Sequence, residues 1–188
     1  MPDPIPRWFV VLWCAVSSPR QQRRGHGYPE LKPLLDLYLG RVRDRLGESL
    51  SAVALYGSVA RGQAQAASDV DLFVVHRGPR AAVFDAFLHV ALQLREHPLV
   101  CELQARNVPT EPYAVFRTEM ELADTPWLLL DICDHGIILF DPRHVLARKL
   151  ASLRLRLREL GSRRVELADG SWYWDLKPDM RPGEVIAL

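Results

Sequence analysis

The sequence predicts an α/β (α+β) protein in which short buried strands alternate with amphipathic helices. Three observations predict it. Apolar residues recur at spacings of three and four over several windows, as on one face of a helix. Between those windows stand short apolar runs bounded by Gly, Pro or Ser, with the length and borders of strands. The chain has 188 residues, 48% of them apolar and 25% charged. That suits one globular domain with a small appendage, burying roughly 70% of its unfolded surface without a disulfide or metal staple.

The elements follow in order. Residues 8–16 (WFVVLWCAV) are apolar, but the run is shorter than the ~20 residues of a membrane span and poorly flanked for a signal peptide. They read as a strand or a loosely attached extension, and 17–27 (SSPRQQRRGHG) as a linker. A helix over 29–47 carries Leu31, Leu35, Tyr38, Val42 and Leu46 on one stripe and ends at Gly47. Residues 51–56 read as a buried strand and 70–75 as a second. Pro79 opens a helix with Val83, Phe84, Phe87, Ala91 and Leu94, which His97-Pro98 breaks. Residues 99–104 read as a third strand, and 105–124, with Pro109 and Pro112, as irregular. Thr125-Pro126 opens a short helix to about His135, and 137–140 is a brief strand. Asp141 and Pro142 suit the N-cap and first position of a long helix whose seam is Leu146, Leu150, Leu153, Leu157 and Leu160, with Gly161 closing it. The aromatic tail, with Trp172, Tyr173 and Trp174, is expected to pack back. The organisation is thus an extension over 1–27, a domain over 28–141, and a C-terminal helix and tail over 142–188 packed on it.

Composition excludes some functions. Lys+Arg is 24 against 23 Asp+Glu, so no basic nucleic-acid coat is present. Arg143, Arg148, Arg154, Arg156 and Arg158 scatter around the long helix as a solvated face. Cys14, Cys101 and Cys133 form no CxxC pair and read as buried, reduced thiols of a cytoplasmic protein. His76, His89 and His97 lack ligand spacing and read as structural.

The chemistry lies in 55–75. On a strand, Asp69 and Asp71 point to one face while Val70 and Leu72 point to the core. Two carboxylates ~6–7 Å apart repel each other, and a divalent cation removes that cost. Oxygen donors favour Mg²⁺ or Mn²⁺. Gly57 follows a buried strand and opens a segment that can begin a helix. There a close backbone approach, open N–H groups and the Ser58 hydroxyl attract phosphate.

Residues 57–72, GSVARGQAQAASDVDL, match the pattern G-S-x-A-R-G-x(5)-S-D-x-D-L throughout. This resembles the minimal nucleotidyltransferases of bacteria and archaea, within the superfamily related to DNA polymerase beta. The resemblance covers about a tenth of the chain. It implies a mixed β-sheet flanked by helices, the nucleotidyltransferase fold, and transfer of an NMP from an NTP, usually ATP. It places Gly57 and Ser58 at the triphosphate and Asp69 and Asp71 at the metal. Arg61 touches phosphate or braces the loop, and Ser68 caps the loop at the nucleotide side. A third carboxylate on a later strand is expected; Glu102 is the candidate, with Asp131 and Asp134 behind it. The resemblance further implies a HEPN-type protein partner, with this chain as the antitoxin. A second reading is an inactive nucleotide- or partner-binding module. No membrane or nucleic-acid partner is expected; the acceptor and oligomeric state, a homo-oligomer included, stay open.

Overall fold

The computed structural model describes residues 25–124, 127–168, 172–181 and 183–186. The apolar run at 8–16, most of the linker and the Thr125-Pro126 helix start lie outside the described residues. The chain divides into two compact units, one over Arg23–Leu150 and one that includes Ala151–Leu188.

The first unit opens with α1 (Tyr28–Leu46). His26 pairs with Ala64 across an isolated bridge, and the Glu30 side chain returns to the Gly27 N–H at 3.4 Å, so the end of the expected linker is already part of the fold. Strand β1 (Leu50–Leu55) leads into a single helical turn, α2 (Gly57–Ala60), and then β2 (Val70–His76). Helices α3 (Arg80–Leu94) and α4 (Pro98–Ala105) connect to β3 (Pro112–Thr118). Helix α5 (Leu128–His135), β4 (Ile137–Phe140) and α6 (Val145–Glu159) follow.

Four strands make one mixed sheet in the order β3-β2-β1-β4. β2 runs antiparallel to β1 and parallel to β3, because two helices intervene between β2 and β3 and carry the chain back to the same end. Strand alternation sends Val70, Leu72 and Val74 into the core with Leu31, Leu35 and Val42 of α1 and Val83, Phe87 and Val90 of α3. Tyr38 ties these two helices by donating to the Phe87 carbonyl at 2.8 Å. Asp71, Phe73 and Val75 occupy the other face.

Several expectations fail, among them the start of the long helix: α6 begins at Val145, not at Pro142, and the Asp141 carboxylate accepts from the Val145 and Ala147 N–H groups, each at 2.8 Å. Residues 99–104 are not a strand: they lie in α4, whose buried residues are Val100 and Leu103, the three-residue spacing of a helix rather than alternation. His97 caps it, its Nδ1 accepting from the Leu99 N–H at 3.2 Å, and Pro98 fills the first turn. The third strand is instead β3, in the segment read as irregular. Pro112 is its first residue on an edge strand, a place proline tolerates. Cys101 is exposed rather than buried.

The second unit holds the antiparallel pair β5 (Arg163–Glu166) and β6 (Trp172–Asp175). Arg164 stacks over the Trp172 ring at 5.4 Å. Among the described residues, no helix is long and apolar enough to cross a membrane.

Candidate active site

Gly57 turns the chain out of β1 at φ +70°, a conformation glycine adopts without strain. A methyl group there would overlap the Asp71 carboxylate, so the turn backbone and that carboxylate are in direct contact. The Tyr56 N–H donates to the Asp71 carbonyl at 3.0 Å, fixing the turn to β2 from the backbone side. In a helix of one turn the N–H groups of Ser58, Val59 and Ala60 have no intrahelical partner.

Asp69 is exposed and Asp71 half-buried, on the same sheet face. Burial pushes the Asp71 carboxyl up to about 6, Asp69 and Asp131 reinforce the shift, and Arg61 opposes it. The structure thus carries the repulsion between neighbouring acids that a divalent cation would relieve. The donors are all oxygen, the kind Mg²⁺ or Mn²⁺ takes, with remaining positions suited to substrate phosphates. Among the described residues no three His, Cys, Asp or Glu side chains converge as a metal-holding set.

Arg61 braces rather than reaching outward. Its Nη1 donates to both Asp131 oxygens, at 3.1 and 3.3 Å, joining the end of α2 to α5 through a largely buried ion pair. Ser68 closes the loop before Asp69: its Oγ accepts from the Gln65 N–H at 2.9 Å, and its own N–H donates back to the Gln65 carbonyl.

Glu102 is not brought to the pair. On α4 it faces away from Val100 and Leu103, lies 3.7 Å from Arg106, and has its side chain 66% exposed. Asp134 pairs with His135 at 3.1 Å. The strand register offers other neighbours, which the sequence hides along with β3. Asp71 pairs with Tyr113 and Val70 with Pro112, and the Val70 N–H donates to the Glu111 carbonyl at 2.8 Å. The register therefore puts Tyr113 beside Asp71 on one face, while Glu111 directly precedes β3 as Asp69 directly precedes β2. Asp69 and Glu111 line one open cleft of about 320 Å³ with Ser68, Gln104 and Thr110. The signal for β3 is present in Tyr113–Thr118, rich in aromatic and β-branched residues. Asp131, a weaker candidate in the sequence, is buried and electrostatically close to Asp71.

The nucleotidyltransferase domain model matches residues 35–133, over half of the chain. No curated protein sequence matches. Solved structures that resemble the chain include three toxin-antitoxin complexes. A toxin-antitoxin complex with AMP-PNP is 16% identical, over 66% of this chain and 90% of that one, with a TM-score of 0.39. A tri-AMPylated Shewanella oneidensis HEPN toxin in complex with MNT antitoxin is 15% identical, over 70% and 88%, at 0.34. The toxin-antitoxin MntA-HepT is 15% identical, over 70% and 89%, at 0.34. With the glycine turn on the acid pair and the family model spanning both, the chain belongs to the nucleotidyltransferase domain family.

Proposed function

We propose that the protein is a metal-dependent nucleotidyltransferase that moves AMP from ATP to a hydroxyl of a protein or small-molecule acceptor. The observation that carries the reading is the contact between Gly57 and the Asp71 carboxylate, which lets one triphosphate lie on the turn and reach the acids. In this reading Asp69 and Asp71 hold Mg²⁺ or Mn²⁺, and Glu111, which lines a cleft with Asp69, replaces Glu102 as the candidate third carboxylate, to be drawn in by the bound ion. A bound cation would supply neutralisation of phosphate charge and polarisation of the attacked phosphorus. Ser58 and the α2 N–H groups receive phosphate oxygens. Arg61 holds that turn in place through Asp131, and Ser68 sets the loop that delivers Asp69. On the strength of the motif, a HEPN-type protein in the cytoplasm is the proposed partner and acceptor.

One observation favours the inactive-module reading: Tyr113, not an acid, faces Asp71. Incubation with α-phosphate-labelled NTPs, Mg²⁺ and a co-encoded partner or lysate separates the two. Transfer that disappears in Asp69→Asn and Asp71→Asn supports the enzyme. Nucleotide binding without transfer to any acceptor supports the module. Absence of both with all four NTPs overturns the nucleotide site.

A further inference from the structure

Tyr113 stands out among the hydroxyl-bearing side chains around the acid pair. It is the register partner of Asp71 on the neighbouring strand, ~4.8 Å away across the ladder and pointing to the same side. β3 is an edge strand, and Tyr113 is 59% exposed. Its ring carries the hydroxyl farther from the sheet than an aspartate carries its carboxylate. Tyr113 acts electrostatically on the buried Tyr56 phenol together with Asp71 and Asp131, so it belongs to the same cluster. Of the other hydroxyls, Ser58 stands on the turn that receives the phosphate in this reading, and the rest are committed or inaccessible. Tyr56 is buried, Ser68 Oγ holds its loop, and Thr110 Oγ1 accepts from Gln104 Nε2 at 3.0 Å. Among the described residues, no hydrogen bond holds the Tyr113 hydroxyl.

We propose that Tyr113 is a self-modification site: the protein transfers a nucleoside monophosphate to its own Tyr113 hydroxyl. The inference rests on the nucleotidyl-transfer reading above. In the step, Tyr113 Oη attacks the α-phosphorus of an NTP seated on the Gly57–Ser58 turn. The Oη–P bond forms, the bond from the α-phosphorus to the bridging oxygen breaks, and pyrophosphate leaves. The phenolic proton passes to water at the exposed face of β3. The product is a phosphodiester between the tyrosine and a nucleoside 5′-monophosphate. Because Tyr113 stands beside Asp71, the tethered nucleotide stays in the site that made it. The reaction is therefore stoichiometric, one group per chain, and the modified chain resists a new NTP.

The test uses the full chain with each of the four NTPs and Mg²⁺, without any acceptor, followed by intact mass and peptide mapping. The expected result is one added nucleotidyl mass, as purified or after incubation, on the peptide that contains Tyr113. The mass is lost in Tyr113→Phe and in Asp71→Asn, and the modified chain binds fresh NTP at least about tenfold more weakly in titration calorimetry. Tyr113→Phe keeps the ring, and its thermal midpoint checks that it folds. An unmodified chain that still binds NTP in an Asp69- and Asp71-dependent manner overturns the self-modification and leaves the nucleotide site standing. Added mass that persists in Tyr113→Phe overturns it equally. A chain that neither gains mass nor binds NTP overturns both.

Discussion

Gly57 and Asp71 constrain each other. The glycine needs its positive φ and lacks a Cβ where the carboxylate sits, so Gly57→Ala is strained and must displace Asp71. We expect it to cost about 1–3 kcal/mol and to abolish nucleotide binding; a chemical melt and titration calorimetry check the two effects separately. Asp71 itself titrates at about 6, above the ordinary aspartate range, first because it is buried and then because Asp69 is close. A carboxyl raised in the folded state weakens the fold when charged. That penalty is complete above about pH 6 and fades as pH falls toward the unfolded value. Asp71→Asn should therefore stabilise the metal-free protein at about pH 8, on the order of 1 kcal/mol after solvent screening, and change little near pH 4. By the same logic Mg²⁺ affinity should climb as pH rises through about 6, since the ion competes with the Asp71 proton. An affinity that is flat with pH would show that Asp71 is not a ligand.

Elements explain which parts of the site are legible in the sequence. The acids and the glycine turn can be read because β1, α2 and β2 are contiguous and local: the motif, the alternation and the turn follow one another directly along the chain. The neighbours that β3 brings to β2 cannot, because their place depends on a parallel strand reached through two helices. Residues 99–104 carry apolar groups at both odd and even positions, so strand alternation and helical spacing compete. The competition is settled by the His97 cap and Pro98, which favour the helix and turn Glu102 outward. The Arg61–Asp131 pair is equally illegible, because the two residues meet only when α5 packs beside α2. It tests as a unit. Arg61→Met leaves Asp131 buried without its cation and should cost about 3 kcal/mol, while adding Asp131→Leu should recover much of the loss. Equal loss in the single and double variants would mean that the pair does not join α2 to α5.

Across the first unit, the sheet separates two ends of different character. The motif gathers at the ends of β1 and β2 where the turn meets the acids. At the other end, Glu119 accepts from Ser51 at 2.6 Å, Arg77 at 2.9 Å and Arg143 at 2.7 Å, so Arg143 is a structural ion-pair partner rather than part of a solvated face. Burial raises the Glu119 carboxyl, but the hydrogen bonds from Ser51 and Arg77 and the Arg143 charge outweigh it, leaving it below its usual value. A carboxyl lowered by folding contributes stability above its unfolded range, and that contribution is lost as pH falls through the folded value. Glu119→Gln should cost about 1–3 kcal/mol at neutral pH and much less in acid, measured as thermal midpoints at the two pH values, with nucleotide binding retained. Equal destabilisation at both would mean that the carboxylate charge is not what holds this end together.

At this same scale, a single nucleotide has to span the turn and the acids for the site to work as proposed. A crystal structure of the chain with a non-hydrolysable ATP analogue and Mg²⁺ decides it. The phosphates should lie over Gly57 and Ser58, with the ion held between Asp69 and Asp71. A nucleotide bound elsewhere, or an ion that leaves either aspartate unused, would contradict a site built from these two parts.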